Sequence, residues 1–546
     1  MIGAFSRRVF MRGTAGVVFS AADALPPLVA AAPRGSAMVV TVVTAGQSFV
    51  FREDESTDLG DFTSPWFAQR CLRSTRPDIP LTIFFRPDRE TERREVVFEL
   101  GRCWDSKPVS IGPYEARIEA GGRALAKVVV TRHPWMARWR WQSSPRPVLR
   151  SPEEVFEKRW LPRFDGKLAY RARLSKPEIY EIMGNAGLTT YMPTTGQTHE
   201  MGIVTEPQGE FLCTTSTSSL QSLLAQAEAS GSVTWHARDE KTNAPVDFNK
   251  YPQGGWTEKH QYNHPYIPIT PPDFNNKRDW VIDEAHQPSL SYVAFVLTGD
   301  PYFLEELQFA ANWNIGAYNP EYREGSGGVL SVAQSRGYAW ALRTLGQCTR
   351  ATPATVPAWF LPKSYFEGKL DYNRRWFERI HVDSTDKGMQ VFRTFLRVGH
   401  TDSPFGEDLV LLVIGMLIIM GFAEWRRSFE WKVKNLLDRM GGKSGWPRAF
   451  ATPYEYRLLR QDGRPAESWA EAFELSKVAK GWTDTLDREK WNGKGPAYLD
   501  VARAALAISV VLGTPGAKES WNWADASLKS SGVPAAYNWA LSPDTV

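Results

Sequence analysis

Two acidic segments, Asp283-Glu284-Ala285-His286-Gln287 and Gly406-Glu407-Asp408, each stand where a helical pattern begins. An acid at a helix start can be a plain cap or a favourable partner for the helix dipole. That explains one carboxylate per segment. It does not explain His286 and Gln287 beside Asp283 and Glu284. Two acid pairs facing each other from separate segments would suit glycoside hydrolysis. One carboxyl is kept protonated by an apolar setting, and the other, ionised, activates water or attacks the sugar. Asp283, Glu284, His286, Glu407 and Asp408 are therefore the candidate catalytic residues. Sequence does not fix their separation, so retaining and inverting outcomes both stay open here.

The stretch Thr234–Glu240 reads TWHARDE and crowds Trp235, His236, Arg238 and Asp239 together. An indole can stack on a sugar face while a guanidinium and a carboxylate bond hydroxyls or a uronate. A loop salt bridge explains Arg238 and Asp239 equally well. Five of the eight histidines fall between His199 and His286, in a polar, aromatic stretch with few helical patterns. Long irregular segments inside compact domains are usually functional or disordered, and the aromatic content argues against disorder. Tyr191, Trp256, His264 and Gln287 are further candidate substrate contacts, as are Arg336 and Trp340, one helical turn apart. Elimination on a uronate polymer would draw on other groups: a Tyr or His base, and an Arg or His to neutralise the acid. Tyr191, His236, Arg238, His264, His286 and Arg336 could supply them. In a non-catalytic glycan-binding or envelope protein, the acids would only cap helices and the aromatics would touch the ligand.

Other chemistries find little support. His260 and His264 have the spacing of a helical metal pair, but turn-forming residues surround them and no HExxH occurs. No CxxC, P-loop, GxGxxG or GxSxG stands in a suitable setting, so neither a metal nor a cofactor is expected. Lys and Arg number 65 against 61 Asp and Glu, without long basic runs, so nucleic acid is not an expected partner. The four cysteines are too few for a disulfide scaffold. Cys71 and Cys103 could pair or remain free thiols.

Two kinds of element must position these residues. Residues 38–150 carry short runs rich in β-branched and aromatic side chains, such as MVVTVVT and PLTIFFRP, broken by Pro, Gly and charged turns. They predict a β-sandwich. From 151 to 546 helical patterns follow one another, near 215–230, 284–297, 300–315, 332–348, 362–382, 405–422, 424–440, 466–480, 497–512 and 517–530. Thr298-Gly299-Asp300-Pro301 ends one helix with Gly, caps the next with Asp and sets Pro at its first position. The run LVLLVIGMLIIMGF at 409–422 is shorter than the roughly 20 residues of a membrane span, so it predicts a helix buried on all sides.

Successive helical hairpins behind a β-sandwich resemble the (α/α) toroid superfamily of six-hairpin glycosidases and polysaccharide lyases. The resemblance implies a mainly α fold over 151–546, nearly apolar inner helices, and a rim cleft acting on a polysaccharide or oligosaccharide. Separately, Ser6-Arg7-Arg8-Val9-Phe10 and the small residues Ala30–Ala32 resemble a twin-arginine signal over residues 1–37. That likeness implies the twin-arginine export machinery as a partner and a periplasmic or secreted location. Hydrolysis by a carboxylate pair is the first expectation, and elimination on a uronate polymer the second.

Overall fold

The structure, a computed structural model, describes residues 36–101, 110–170, 172, 176–194, 198–255, 280–332, 334–384, 389–392, 401–480, 482, 498–532 and 534–544. The arginine pair of the expected signal, Cys103, Trp256, His260 and His264 lie outside them.

Two antiparallel sheets form the N-terminal part. Strands β1 (Met38–Thr44) and β2 (Gln47–Arg52) precede β3 (Thr57–Thr63), β4 (Ala68–Arg76), β5 (Ile79–Pro87) and β6 (Arg94–Leu100), followed by β7 (Tyr114–Ala120), β8 (Arg123–Val130) and β9 (Ala137–Gln142). The sheet orders are β2-β1-β7-β8 and β3-β4-β5-β6-β9. Val40, Val42, Phe49 and Phe51 of the first sheet share a core with Ile83, Phe85, Val96, Phe98 and Trp139 of the second. Trp139 Nε1 donates to the hydroxyl of Tyr114 across the two sheets at 2.7 Å. β2, β3 and β4 were not expected. Polar and charged residues, as in Ala68-Gln-Arg-Cys-Leu-Arg, hide the alternation of a partly exposed strand.

Side chains alternate between the faces of a strand. In the second sheet both faces are covered. Ile83, Phe85, Val96 and Phe98 enter the shared sheet core, while Phe84 and Val97 join the core of the helical region. This explains why β5 reads as a nearly continuous apolar run, while Glu95 and Glu99 of β6 turn to the helical side and are paired there.

The helices are α1 (Pro152–Glu157), α2 (Glu206–Thr214), α3 (Thr217–Ala229), α4 (Tyr292–Thr298), α5 (Pro301–Gly316), α6 (Ser335–Ala351), α7 (Lys363–Phe377), α8 (Pro404–Ile419), α9 (Arg426–Met440), α10 (Trp469–Lys480), α11 (Leu499–Val511) and α12 (Ala517–Ser531). Neighbours in sequence pack on one another, α2 with α3, α4 with α5, α5 with α6, α6 with α7, α8 with α9 and α11 with α12. α6 and α11 also lie against α8. The Gly299-Asp300-Pro301 join forms as the sequence suggests, with Gly299 at φ +67° and Asp300 accepting from Tyr302 N at 3.1 Å. Residues Pro404–Ile418 of α8 are all buried, and no helix among the described residues is long and apolar enough to cross a membrane. Gly346 and Gly415 let Leu417 and Ile508 approach helix backbone where a Cβ would collide with them.

One expected helix needs correction. The pattern over 284–297 is a single short turn, Glu284–His286, then extended chain, and only then α4. Pro288 supplies the reason, since it disfavours helical backbone at the residue before it and lacks an amide hydrogen.

Candidate functional site

The TWHARDE segment does not face solvent. Trp235 is 1% exposed, and His236, Arg238 and Asp239 are buried. Its polar groups meet the outward face of the second sheet and the first half of α5. Arg238 forks onto Glu99 at 2.6 and 2.8 Å and also reaches Glu305. His236 bonds the carbonyl of Met136 at 2.8 Å and Glu306 at 2.9 Å. Arg86 and Arg138 join Glu305 at 2.7 and 2.6 Å, and Arg140 joins Glu95 and Asp300 at 2.9 and 2.8 Å. Burial alone would raise the Glu305 carboxyl; Arg138, Arg86 and Arg238 outweigh it and hold it well below the usual range. Glu306 likewise falls to about 2, burial being overcome by Arg138 and His236. The expected sugar contacts Trp235, His236, Arg238 and Asp239 are therefore a buried joint between sheet and helices. Asp239 itself closes a local turn, bonding Lys241 N at 3.0 Å and accepting from the Tyr251 hydroxyl at 3.2 Å.

Glu407 and Asp408 are also sealed. Glu407 bonds buried Lys432 and accepts from Phe392 N at 2.9 Å, and Asp408 bonds buried Arg439. Burial raises the Asp408 carboxyl, and Arg439 opposes it. An apolar helix that starts inside the core needs its acids neutralised locally. Trp340 is 1% exposed and packs near Trp539, so it is core and not a cleft wall. Gln287 is buried too; it accepts from Asn314 at 2.7 Å and Thr344 at 3.3 Å, pinning the extended chain before α4.

The first acidic segment is different. Val281 pairs with the 190–192 segment, donating to Thr190 O at 2.9 Å and accepting from Met192 N at 3.0 Å. This places Tyr191, 43% exposed, beside it. Asp283 is extended at φ −144° and caps the following turn through Ala285 N at 3.4 Å. Its second oxygen bonds Nδ1 of His286. Glu284 accepts from the hydroxyl of Tyr318, which also contacts Ser331 Oγ at 3.1 Å. Burial raises the Glu284 carboxyl above its ordinary range, and the charge of Asp283 adds to the effect against the Tyr318 bond. Gly337 in the first turn of α6 makes room for this group. A Cβ there would sit 2.6 Å from Ser331 Oγ and 3.1 Å from Glu284 Cγ.

The start of α6 links this cluster to α8 and α11. Arg336 lies with its guanidinium 5.8 Å from the ring of Phe405, and Phe405 stacks on Tyr498 at 4.5 Å and Tyr454 at 5.6 Å. In the first turn of α11, burial pushes the Asp500 carboxyl up to about 7. The structure thus brings Tyr191, Asp283, Glu284, His286 and Arg336 to one neighbourhood. Sequence reasoning passed over Tyr318, Ser331, Tyr454, Tyr498 and Asp500. The signal was faint: a tyrosine, serine or acid at or near a helix end resembles any cap or loop residue.

Cys71, Cys213 and Cys348 are free, and burial pushes the Cys71 thiol up to about 11. Among the described residues, no cluster of three His, Cys, Asp or Glu could hold a metal ion. In comparisons with known proteins, the chain matches no family, no curated protein and no solved structure.

Proposed function

We propose that this protein is an exported carbohydrate-active enzyme that cleaves a uronate-containing polysaccharide at the Asp283–Glu284–His286 turn. The observation that carries the reading is the pairing of two unlike proton-transfer groups within one turn. The Asp283 carboxylate accepts from Nδ1–H of His286. This tautomer leaves a lone pair on Nε2, to which no described residue bonds. Glu284, its carboxyl raised by burial and by the charge of Asp283 despite the opposing Tyr318 bond, is suited to remain a neutral acid. In elimination, His286 Nε2 takes the proton next to the uronate carboxylate. The bond to the neighbouring sugar oxygen breaks, that oxygen receives the Glu284 proton, and a carbon–carbon double bond remains. Arg336 provides positive charge for the uronate.

Hydrolysis is the second reading, favoured by the raised Glu284 carboxyl alone. It needs an ionised carboxylate opposite, and Glu407 and Asp408 are committed to Lys432 and Arg439. The packing of sequence-adjacent helices, with the starts of α6, α8 and α11 gathered around Arg336, Phe405 and Tyr498, supports a toroid. The Tyr537–Trp539 turn packs on both α2 and α11 and so favours closure of the series. The twin-arginine likeness supports export to the periplasm or beyond.

The test is degradation of polygalacturonate, alginate and chondroitin, read by ultraviolet absorbance of an unsaturated uronate and by reducing ends. Elimination produces both signals and hydrolysis only the second. His286→Ala and Glu284→Gln should each lower kcat by about 100-fold or more while the fold persists. Full activity in both variants would refute the assignment.

A further inference from the structure

The carboxyl of Glu284 is held unevenly. The two hydroxyl groups beside it converge on one oxygen: Oε1 accepts from Tyr318 and lies 3.5 Å from Ser331 Oγ. The hydroxyls also touch each other at 3.1 Å. A tyrosine has a single hydroxyl hydrogen, and Tyr318 gives its own to Glu284, so in the 3.1 Å contact Ser331 is the donor. The bonds therefore run in one direction, from Ser331 to Tyr318 to Oε1, and each polarises the next. Ser331 is 1% exposed, and the missing Cβ of Gly337 leaves room for it. Oε2 receives no side-chain donor among the described residues, yet it is not sealed from solvent. The charged and titratable groups around this carboxyl are Asp283 and His286 on its own turn, Tyr191 on the paired segment, Tyr318 beyond α5, and Arg336 and Arg343 on α6. Arg343 is committed to the carbonyl of Gln287 at 2.7 Å.

Resting on the reading of Glu284 as the acid, we propose that Tyr318, backed by Ser331, is a positioning residue that keeps the acid's proton on Oε2, the oxygen open to solvent, and sets how readily that proton leaves. In a neutral carboxyl whose Oε1 already accepts a hydroxyl hydrogen, Oε1 serves as the carbonyl and Oε2 carries the proton. During transfer, the electron pair of the breaking carbon–oxygen bond stays with the leaving sugar oxygen. That oxygen takes the proton from Oε2, and Glu284 is left as a carboxylate. The charge that develops on Oε1 meets the Tyr318 hydroxyl, and a hydrogen bond to a charged acceptor is stronger than one to a neutral acceptor. Burial holds the proton on Glu284, and the Tyr318 bond works against it. A tyrosine serving packing alone would need neither its hydroxyl here nor a second hydroxyl behind it.

The experiment uses the full chain and follows the carboxyl in two ways. One is infrared difference spectroscopy across pH, in which the band of protonated Glu284 is the one lost in Glu284→Gln. The other is kcat/KM across pH on whichever of polygalacturonate, alginate and chondroitin the wild type cleaves. Tyr318→Phe keeps the ring and removes the hydroxyl. It should raise the pH at which the band titrates, and the pH at which kcat/KM falls, by about one to two pH units, because the ionised form loses its donor. It should also move the carbonyl band to higher frequency, as Oε1 is released from its hydrogen bond. Ser331→Ala should act in the same direction by a smaller amount, and it carries the test if Tyr318→Phe does not fold. The melting temperature is read for each variant, since a loss of packing alone moves neither titration. A midpoint that stays or falls in Tyr318→Phe, or a carbonyl band that keeps its frequency, would overturn the proposal and leave Glu284 as the acid. Full turnover in Glu284→Gln, or no polymer cleaved by the wild type, would overturn the acid role and this proposal with it; the infrared arm, which needs no turnover, tells the two failures apart.

Discussion

Replacing Glu305 by Gln isolates the joint between the second sheet and the helices. Its carboxylate receives guanidinium groups from three separate places: Arg86 on β5, Arg138 on β9 and Arg238 in the segment before α4. All four side chains are buried. Gln preserves the shape and one acceptor oxygen but leaves an uncompensated positive charge among the three. Hydrogen bonds to charged groups contribute about 1.5–3 kcal/mol each, and breaking a buried ion pair from one side costs about 3–5 kcal/mol. The lower end of that range already rivals a third of a typical stability of about 5–15 kcal/mol. Urea unfolding followed by tryptophan fluorescence, with Asp58→Asn as a control, reads the difference. Asp58 pairs with Arg70 at a largely exposed site, where a bridge is worth less than about 1 kcal/mol. The pH dependence is a second check. The folded Glu305 carboxyl lies well below its ordinary value of 4.5. Its stabilisation is therefore complete above that value and disappears as pH falls through the folded one. The gap between wild type and Glu305→Gln should be widest near neutrality and should narrow below about pH 4. A gap smaller than the Asp58 control, or one that stays constant from neutral to acid pH, would refute the reasoning.

Gly337→Ala should cut turnover about tenfold or more while the helical signal persists, because the new Cβ displaces Ser331 and Glu284 by contact; circular dichroism and a turnover assay together check this. Trp340→Ala should lower stability by about 3–5 kcal/mol through a core cavity and leave the KM of the folded enzyme unchanged, as urea melts and steady-state kinetics would show. If Glu284 acts as the acid, kcat/KM should fall as pH rises through its raised value, since only the protonated form donates; a rate that keeps rising with pH across the neutral range would exclude that role.

The parts of the fold that announce themselves in sequence are those whose pattern is local. The alternation in Met38–Thr44, the apolar run within α8 and the Gly299-Asp300-Pro301 join each state their structure within a few residues. The TWHARDE segment misleads for the opposite reason. Its chemistry is decided by Glu99 and Glu305, which lie 139 and 67 residues away along the chain. A guanidinium beside a carboxylate looks the same whether it waits for a sugar or closes a buried joint. Glu407 and Asp408 present the same ambiguity, resolved only when Lys432 and Arg439 fold back from α9. Asp283 and Glu284 stood out in the sequence as candidates because their helix-start explanation left His286 over. Tyr318 was not legible, since nothing in its loop shows which carboxylate its hydroxyl will reach.

Helix α5 connects these observations. Its 16 residues are all buried and extend about 24 Å. Near its start, Asp300, Glu305 and Glu306 hold Arg140, Arg86 and Arg138 from the second sheet. Near its end, Asn314 grips Gln287 at 2.7 Å, and Tyr318, two residues past the helix, holds Glu284. A helix fixed at one end by buried ions and at the other by the chain that carries Glu284 has little freedom to tilt without breaking one set of bonds. The β-sheets, which contribute no residue to the candidate site, thereby help to determine where the Glu284 carboxyl stands. This also gives the buried charges of TWHARDE a role that apolar packing would fill less well. Apolar side chains would join sheet to helix, but forked guanidinium–carboxylate bonds also fix the register of α5 along the sheet.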